Sequence, residues 1–380
     1  MTLAEAPSTR RVHEIDAVRG FALAGILVAN IGFFADPGYA VGTGTMPITE
    51  GPVAYLVSTL VLTKFYILFS FLFGYSFTLQ TRDGVNVKAR MLRRCLGLFV
   101  IGLLHGFLLW IGDILTLYAT LGLILLAMRN ISPRKAVITG CAIIGVMSVI
   151  WLLLAGLTLL GPAGGAAVTD PAAAAQAEAL VTGGPLDFLT FQARTYPAIA
   201  GMVWIGQGPM ALALFLFGLA AGKSRLFEEP ERWARFVPRV QWVGFGVGLP
   251  AAAFFTWATA SGEDALELAA LALNNVTSVL LTAAYVVTLL QIIKRFPAAG
   301  RALAPAGRMA ASNYLGQSAL CCLVFTGYGL ALAGKLSPLA VMGVAAVIYA
   351  ILLGLSRWWL RGHRYGPIEY GLRRLTVGRG

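Results

Sequence analysis

A histidine and an aspartate, His105 and Asp113, stand eight residues apart in an otherwise apolar stretch. His105 is the only histidine within a predicted membrane span, since His13 and His363 lie in polar segments. An imidazole can act as a general base or an acyl-accepting nucleophile, and a carboxylate can fix its tautomer. Eight residues are about two helical turns, so direct contact requires the helix to break near Gly112. The alternative is that His105 merely hydrogen-bonds a neighbouring helix.

Two charged residues begin the first apolar stretch. Asp16 and Arg19 are three residues apart and share one helical face, and Asn30 follows about three turns farther on nearly the same face. A charge within a membrane span costs about 2.5 to 3.5 kcal/mol, so each one needs a partner or a watery cavity. The pair is either a local ion pair at a helix start or the organiser of a ligand pocket at the inner membrane boundary.

Polar side chains also occur within later spans. Lys64 would reach for the membrane edge if it lay near the end of its span, and otherwise it would meet a carboxylate or a ligand carbonyl inside the bundle. Asn313 and Gln317 are four residues apart, so their two amides share one helical face. They either join neighbouring helices or form a polar wall for a ligand.

The C-terminal segment Arg357–Arg374 is rich in arginine. Pro367 follows Gly366, stops the preceding helix and redirects the chain, which would bring Glu369 and arginines against the cytoplasmic face. This segment is either a basic patch at the membrane surface or a site for the phosphates of a cytosolic cofactor.

The elements that must position these groups are membrane helices. The chain has 380 residues, of which 58% are hydrophobic and 12% charged, and its mean hydropathy is +0.77, far more apolar than a soluble domain. A hydrocarbon core about 30 Å thick needs about 20 apolar residues per helix. We therefore predict an all-α, polytopic transmembrane bundle of about ten helices in a single domain, residues 1–380. The predicted spans are Ile15–Phe34, Val53–Leu79, Cys95–Ile111, Ile114–Met128, Ala136–Leu160, Pro197–Gly222, Val240–Ala258, Leu266–Ile293, Met309–Ala333 and Leu339–Leu360.

The net charge of +12 follows the predicted topology. With a cytoplasmic N-terminus, 26 of the 29 basic residues fall at the cytoplasmic side, as the positive-inside rule requires, so nucleic acid is not an expected partner. Both termini are then cytoplasmic, with an arm at 1–14, an outer loop at 161–195 and a tail at 361–380. The Ala/Gly/Pro-rich stretch Gly161–Pro185 in the loop is either flexible or a short surface helix. The four cysteines have no metal-like spacing, so no metal site is predicted.

Five motifs, in this order, resemble those of the YeiB family of bacterial membrane proteins. They are the runs Glu14–Asn30, Lys64–Gly74, His105–Tyr118, Ser312–Gln317 and Gly366–Arg373. The resemblance covers nearly the whole chain and implies a bacterial cytoplasmic membrane protein.

That family is similar to a wider group of transmembrane acyltransferases, which includes the lysosomal heparan-α-glucosaminide N-acetyltransferase. The shared Asp-x-x-Arg-Gly motif is Asp16–Gly20 here. The resemblance implies acyl transfer from cytosolic acyl-CoA, most often acetyl-CoA, to a hydroxyl or amine of a glycan or small molecule. The catalytic histidine of the lysosomal enzyme lies in the loop after its first matching helix, and residues 38–50 here contain none. His105 is therefore a substitute candidate.

We expect acyl-CoA to approach from the cytoplasmic side, with His105 and Asp113 as the catalytic residues. A small-molecule transporter or exporter is the alternative, since the same buried polar groups could form a permeation path. The bilayer, the acyl-CoA and an acceptor are the expected partners, and the chain is compatible with a homodimer. The residues expected to line or brace the acyl-CoA site are Asp16, Arg19, Asn30, Lys64, Ser70, Tyr118, Asn313, Tyr314, Gln317, Arg364, Glu369 and Arg373.

Overall fold

The structure is a computed structural model that describes residues 8–41, 51–82, 86–160 and 171–377. Within these ranges the chain is helical and forms no β-strand. A 3₁₀ turn at Pro37–Val41 follows the first helix, and a π-helical segment at Gly244–Gly248 joins α10 to α11. The α-helices are α1 Ser8–Ala35, α2 Gly51–Leu60, α3 Lys64–Thr81, α4 Val87–Leu108, α5 Leu115–Ala127, α6 Pro133–Leu160, α7 Pro171–Thr182, α8 Pro185–Lys223, α9 Pro230–Ala234, α10 Val237–Val243, α11 Leu249–Ser261, α12 Asp264–Arg295, α13 Pro297–Arg308, α14 Ala310–Phe325, α15 Pro338–Gly362 and α16 Pro367–Val377.

Eight helical segments among the described residues are long and apolar enough to cross a membrane, which confirms the all-α transmembrane class. The most lipid-like of them is α6, whose leucines at 153, 157 and 160 are largely exposed on its outer surface. Such a surface is stable only against hydrocarbon. The eight segments are His13–Ala35, Gly51–Thr81, Val87–Leu108, Pro133–Leu160, Pro185–Lys223, Val237–Ser261, Asp264–Arg295 and Pro338–Gly362.

Two of the predicted spans coincide with shorter helices. The fourth corresponds to α5, which has 13 residues, and the ninth corresponds to α14, which has 16. The count of about ten spans and the cytoplasmic placement of both termini stay predictions. Residues 1–7 of the predicted arm, 161–170 of the predicted outer loop and 378–380 of the tail lie outside the described residues.

The rest of the predicted outer loop is helical except at Gly183 and Gly184. It contains α7 and the first turns of α8, which begins at Pro185 rather than at the predicted Pro197. The physical reason lies in the composition of the segment, because alanine has the highest helix propensity and proline is well tolerated in the first turn of a helix.

The connections rich in lysine and arginine meet at one end of the bundle, which we call the basic end. Hydrogen bonds and ion pairs tie them to one another across the sequence. They join Arg82 to Glu228, Lys223 to the carbonyl of Arg129 and Arg308 to the carbonyl of Arg364. At the opposite end the backbone N–H of Gly334 donates to the carbonyl of Ala35 at 2.8 Å.

The helices α3 and α8 cross very closely at two glycines. Both carry the string Phe-Leu-Phe-Gly, and an added Cβ at Gly74 or at Gly218 would lie 2.1 Å from a backbone oxygen of the other helix. The close crossing lets the rings of Phe73 and Phe215 stack with their centroids 4.5 Å apart, and both rings pack edge-on against Tyr118. The crossing therefore fixes the position of Tyr118 in the centre of the bundle.

Two breaks interrupt the helices near the centre. The second span is broken between α2 and α3 at residues 61–63, where Thr63 has a positive φ of 71°. The hairpin of α4 and α5 is broken between Leu108 and Leu115, and there the N–H groups of Leu109 and Trp110 both donate to the carbonyl of His105. The second break brings the two arms of the hairpin together around His105.

Candidate functional site

The break between α4 and α5 places the predicted histidine and aspartate in direct contact. Nδ1 of His105 lies 2.9 Å from Oδ1 of Asp113, and neither side chain has any exposed surface. The helix ends just after His105, as the sequence analysis required for a contact between residues eight positions apart. The two residues form a buried imidazole–carboxylate couple.

Both carboxylate oxygens of Asp113 have a hydrogen-bond partner. Oδ2 accepts a hydrogen bond of 2.9 Å from the backbone N–H of Thr116, at the start of α5. An added Cβ at Gly102 would lie 2.6 Å from that nitrogen and 2.8 Å from Oδ2, so only glycine lets the two arms approach this closely. Because the carboxylate accepts the proton on Nδ1 of His105, Nε2 carries the lone pair that can act as a base.

A serine that the sequence analysis did not select completes the chain of polar groups. Oγ of Ser318 lies 2.8 Å from Nε2 of His105, and the serine is buried in α14. The two residues are 213 positions apart, so no local spacing reveals the contact. The available signal was that Ser318 lies one turn after Tyr314 and directly follows Gln317, both of which had been selected.

Tyr314 covers the imidazole. The ring centroids of His105 and Tyr314 are 4.9 Å apart, and the hydroxyl of Tyr314 accepts a hydrogen bond of 3.4 Å from the backbone N–H of Ile114. Tyr314, Tyr118 and Phe69 line two cavities, whereas His105 lines neither of the two. We call these three aromatic residues the aromatic wall.

The first cavity has a volume of about 230 Å³ and opens toward the basic end. Arg19, Arg94 and Arg308 line it together with the carboxylate of Glu369, and we call it the arginine cavity. An adjoining cavity of about 280 Å³ shares Arg94 and Glu369 with it and adds the side chains of Arg90 and Arg373. Arg19 and Arg373 were predicted to line the acyl-CoA site, whereas Arg90, Arg94 and Arg308 were attributed to the positive-inside pattern alone.

The second cavity lies on the other side of the aromatic wall, next to the turn between α4 and α5, and has a volume of about 440 Å³. Its lining is mostly apolar, with amides from Asn30, Gln207 and Asn275, and we call it the amide cavity. Trp110 also lines it, and the buried indole N–H of Trp110 has no hydrogen-bond partner within the described ranges. Such a cavity fits a ligand with an apolar body and a few hydrogen-bonding groups.

The predicted pair at the start of the first span is an ion pair that also reaches the arginine cavity. Nη1 of Arg19 lies 2.5 Å from Oδ1 of Asp16, and Nη2 donates to Oγ of Ser76 at 2.6 Å. The contacts show the local ion pair, and Asp16 also holds the guanidinium of Arg19 in the wall of the arginine cavity. Gly20 of the same motif packs against Leu303 of α13, where an added Cβ would lie 2.3 Å from the carbonyl oxygen.

Glu369 reaches the bundle as the proline after Gly366 predicted. Its Oε1 accepts hydrogen bonds from the backbone N–H groups of Ala311 and Ser312, at 2.7 and 3.2 Å, and its Oε2 accepts one from the hydroxyl of Ser312. The carboxylate therefore satisfies the free N–H groups at the start of α14 and faces its positive dipole end.

The two predicted amides join helices. Nδ2 of Asn313 donates to the carbonyl of Ala306 and to Oγ of Ser356, and Nε2 of Gln317 donates to the carbonyl of Leu23. Both side chains are buried, and neither lines the arginine cavity or the amide cavity. Of the two interpretations in the sequence analysis, these contacts favour interhelical bonding.

Three further selected residues lie outside both cavities. Lys64 is only 1% exposed, and its ammonium group has no hydrogen-bond partner in the part of the chain that the structure describes. Ser70 hydrogen-bonds the hydroxyl of Tyr118 at 2.6 Å and so braces the aromatic wall. Arg364 is exposed and lies over the ring of Tyr365 at the basic end.

Several arginines cluster around the arginine cavity and its neighbour. Guanidinium groups bind phosphates through paired, charge-assisted hydrogen bonds, and five of them converge around the arginine cavity and its neighbour. Across the described ranges no group of three or more histidine, cysteine, aspartate or glutamate residues is placed to hold a metal ion.

Comparison with known proteins finds a family model that matches part of the chain and relatives that match nearly all of it. Residues 221–379 match the model of a family described as a protein of unknown function, DUF418. The chain is 29% identical to the uncharacterized protein YxaH of Bacillus subtilis, over 97% of this chain and 95% of the relative.

Two more relatives match with similar coverage. An uncharacterized 39.9 kDa protein of Bacillus acidopullulyticus, encoded in the amylase 3′ region, is 28% identical over 97% of this chain and 94% of its own length. The uncharacterized protein YeiB of Escherichia coli is 27% identical over 96% of this chain and 95% of its own length. The chain is thus similar over nearly its whole length to bacterial proteins that include YeiB, as its five motifs predict, and the eight membrane-length helices among its described residues indicate an integral membrane protein.

Proposed function

We propose that the protein is a membrane-embedded acyltransferase of the bacterial cytoplasmic membrane. It would take an acyl group, acetyl in the simplest case, from acyl-CoA at its basic end. The group would pass to a hydroxyl or amine of a glycan or small molecule. The observation that carries the proposal is the position of the buried His105–Asp113 couple, directly behind an aromatic wall that separates an arginine cavity from an amide cavity.

The arginine cavity supports acyl-CoA as the donor. Coenzyme A carries a pyrophosphate and a further phosphate, and these groups match a ring of guanidinium side chains in charge and geometry. Arg90, Arg94 and Arg373 line the adjoining cavity, while Arg19 and Arg308 join Arg94 in lining the arginine cavity itself. The nucleotide would bind in the adjoining cavity, and the narrow pantetheine arm would extend along the arginine cavity toward Tyr118 and Tyr314.

The amide cavity supports a separate acceptor site. Its apolar lining and its three amides suit a neutral molecule that carries hydroxyl or amine groups on an apolar body. Donor and acceptor would then meet at the aromatic wall from opposite sides. This arrangement keeps bulk water away from the thioester, which would otherwise hydrolyse.

The His105–Asp113 couple supplies the acid–base chemistry that acyl transfer requires. Nε2 of His105 would draw the proton from the attacking group and then return it to the leaving thiolate. Asp113 would keep the proton on Nδ1 and stabilise the imidazolium that forms in between. A positioned acid–base group of this kind contributes about a hundredfold to ten-thousandfold to a rate.

Thiol release tests the proposal. The purified protein is incubated with acetyl-CoA and a library of sugars and amines, and free thiol is followed over time. We expect release that depends on an acceptor, is lost in His105→Ala and is retained in His363→Ala, which removes an exposed histidine stacked on Trp359. Release that His105→Ala leaves unchanged would remove the histidine from the mechanism, and no release with any acyl-CoA would contradict the proposal.

A transporter is the second candidate, and one observation favours it. The second span is broken at residues 61–63, and discontinuous membrane helices are typical of the binding sites of transporters. A transporter would move a small molecule across proteoliposome membranes without any CoA. Acceptor-dependent thiol release without such flux favours the enzyme.

A further inference from the structure

We propose that Ser318 is a nucleophile that carries the acyl group as a covalent ester. Ser318, His105 and Asp113 form a continuous chain of hydrogen bonds, with 2.8 Å between Oγ and Nε2 and 2.9 Å between Nδ1 and Oδ1. A hydroxyl, an imidazole and a carboxylate in this order form the arrangement that activates a serine for attack on a carbonyl carbon. The inference rests on the proposed function and names the residue that accepts the acyl group first.

The contacts of His105 distinguish between its two candidate roles, general base and acyl-accepting nucleophile. Nδ1 is engaged by Asp113 and Nε2 by Ser318, so neither ring nitrogen is free to attack an acyl carbon. The same contacts place Nε2 where it can accept the proton of the serine hydroxyl. His105 is therefore the base and Ser318 the nucleophile.

Further contacts hold Ser318, His105 and Asp113 in position. The second oxygen of Asp113 accepts the N–H of Thr116, so the carboxylate cannot rotate away from the imidazole without losing that bond. Ser318 lies within α14, four residues after Tyr314 and on the same helical face. A serine that served only to join two helices would not need an imidazole fixed by a carboxylate.

Access to Ser318 is controlled by Tyr314. Tyr314 lines the arginine cavity and the amide cavity and lies against His105, whereas Ser318 is buried and lines neither. A thioester in the arginine cavity would reach the serine once the Tyr314 side chain turns aside.

The reaction divides into two balanced steps. In the first, Oγ of Ser318 forms a bond to the acyl carbon while the carbon–sulfur bond of the thioester breaks. The hydroxyl proton passes to Nε2 of His105 and from there to the sulfur, so CoA leaves as the free thiol. In the second, the acceptor oxygen or nitrogen forms a bond to the acyl carbon while the bond between that carbon and Oγ of Ser318 breaks. The acceptor proton passes to Nε2 of His105 and from there to Oγ, which restores the serine hydroxyl.

Two probes test the nucleophile independently. Diisopropyl fluorophosphate phosphorylates an activated serine with loss of fluoride and needs no acyl-CoA. Acetyl-CoA without acceptor would leave one acetyl group on the protein. Both adducts are located by mass spectrometry of peptides from the purified full-length chain in detergent.

We expect both adducts on Ser318 of the wild-type protein and neither in Ser318→Ala. In His105→Ala labelling should slow about a hundredfold, because the base is lost. The matched control is Ser278→Ala, which removes a different buried serine hydroxyl bonded to Asn274, and it should label at the wild-type rate.

The outcomes separate this inference from the proposed function. Phosphorylation of Ser318 without an acetyl adduct from any acyl-CoA would support the nucleophile and contradict the acyl-CoA donor. Acceptor-dependent thiol release at the wild-type rate in Ser318→Ala, without an adduct in the wild type, would overturn the nucleophile and leave the acyltransferase.

A second variant covers the case in which Ser318→Ala does not fold. Ser318→Cys keeps the size and the position of a nucleophile, and it should form an acetyl thioester that hydroxylamine removes. A folded Ser318→Cys protein that acquires no acetyl group, although the wild type releases thiol, would also overturn the inference.

Discussion

The ring of Tyr314 lies against the imidazole of His105, with 4.9 Å between the ring centroids, and Tyr314 lines both cavities whereas His105 lines neither. Tyr314 therefore lies between the hydrogen-bonded residues Ser318, His105 and Asp113 and the two cavities in which the donor and the acceptor could bind. Removal of the ring should open the imidazole to both cavities at once. We therefore expect Tyr314→Ala to hydrolyse acetyl-CoA without an acceptor, measured as thiol release, whereas Tyr314→Phe, which keeps the ring, should not. Equal hydrolysis by both variants would contradict the screening role of the ring.

Asp113→Asn should reduce kcat about a hundredfold to ten-thousandfold, because an amide cannot accept the Nδ1 proton and stabilise the imidazolium as a carboxylate does. The measurement is thiol release at saturating acetyl-CoA, with Tm recorded for the same sample to verify folding. The control is Asp264→Asn, an exposed aspartate in the first turn of α12, which should keep the wild-type kcat. A folded Asp113→Asn protein with wild-type kcat would exclude the couple from catalysis.

Arg94→Ala should weaken acyl-CoA binding, since Arg94 is shared by the arginine cavity and the adjoining one. Loss of one hydrogen-bonded charge costs about 1.5 to 3 kcal/mol, which corresponds to an increase in KM of about tenfold to hundredfold. Titration of acetyl-CoA gives KM, and rising salt should weaken binding to the wild type more than binding to the variant. Arg194→Ala removes an exposed arginine of α8 that lines neither cavity, and its KM should not change. Equal KM values for the two variants would place the CoA phosphates elsewhere.

Gly218→Ala should destabilise the crossing of α3 and α8. The new Cβ would lie 2.1 Å from the carbonyl oxygen of Phe71, so the backbones must separate. Overpacking of this kind costs about 1 to 3 kcal/mol and should lower Tm in a thermal unfolding assay in detergent. Gly145→Ala is the control, because its Cβ meets no atom within 4 Å and should leave Tm unchanged or slightly raised. A Gly218→Ala protein as stable as wild type would show that the crossing tolerates expansion.

Glu369→Ala should loosen the C-terminal helix α16, because the carboxylate accepts three hydrogen bonds at the start of α14. Local opening would expose Arg373 and Arg374 to trypsin more often, so limited proteolysis should remove the last residues faster than in wild type. Glu231→Ala, at an exposed residue of α9, is the matched control and should cleave at the wild-type rate. Identical cleavage of all three proteins would show that Glu369 does not hold α16 in place.

The all-α transmembrane class could be predicted from composition alone, because nothing but hydrocarbon tolerates so much apolar surface. The contact between His105 and Asp113 was one of two interpretations of the sequence, and it depended on a break in the short hairpin near Gly112. The ends of the helices were harder to predict from the sequence. The chain between Pro185 and Pro197 read as a loop, although α8 already includes it.

The rest of the site depended on contacts across the chain. Ser318 meets His105 through the packing of α14 on the hairpin, which no spacing in the sequence encodes. Arg94 and Arg308 read as ordinary residues of the positive-inside pattern, and only the fold brings them together with Arg19. Asn313 was predicted to be an amide within a membrane span, but the sequence could not distinguish a ligand contact from its hydrogen bonds to neighbouring helices.

The most direct measurement of the central claim is a cryo-electron microscopy map of the protein with bound CoA. The account predicts density for the nucleotide beside Arg90, Arg94 and Arg373, with the pantetheine arm extending along the arginine cavity and the thiol end at Tyr314. Density for CoA at the opposite end of the bundle, or a thiol end remote from the aromatic wall, would contradict it.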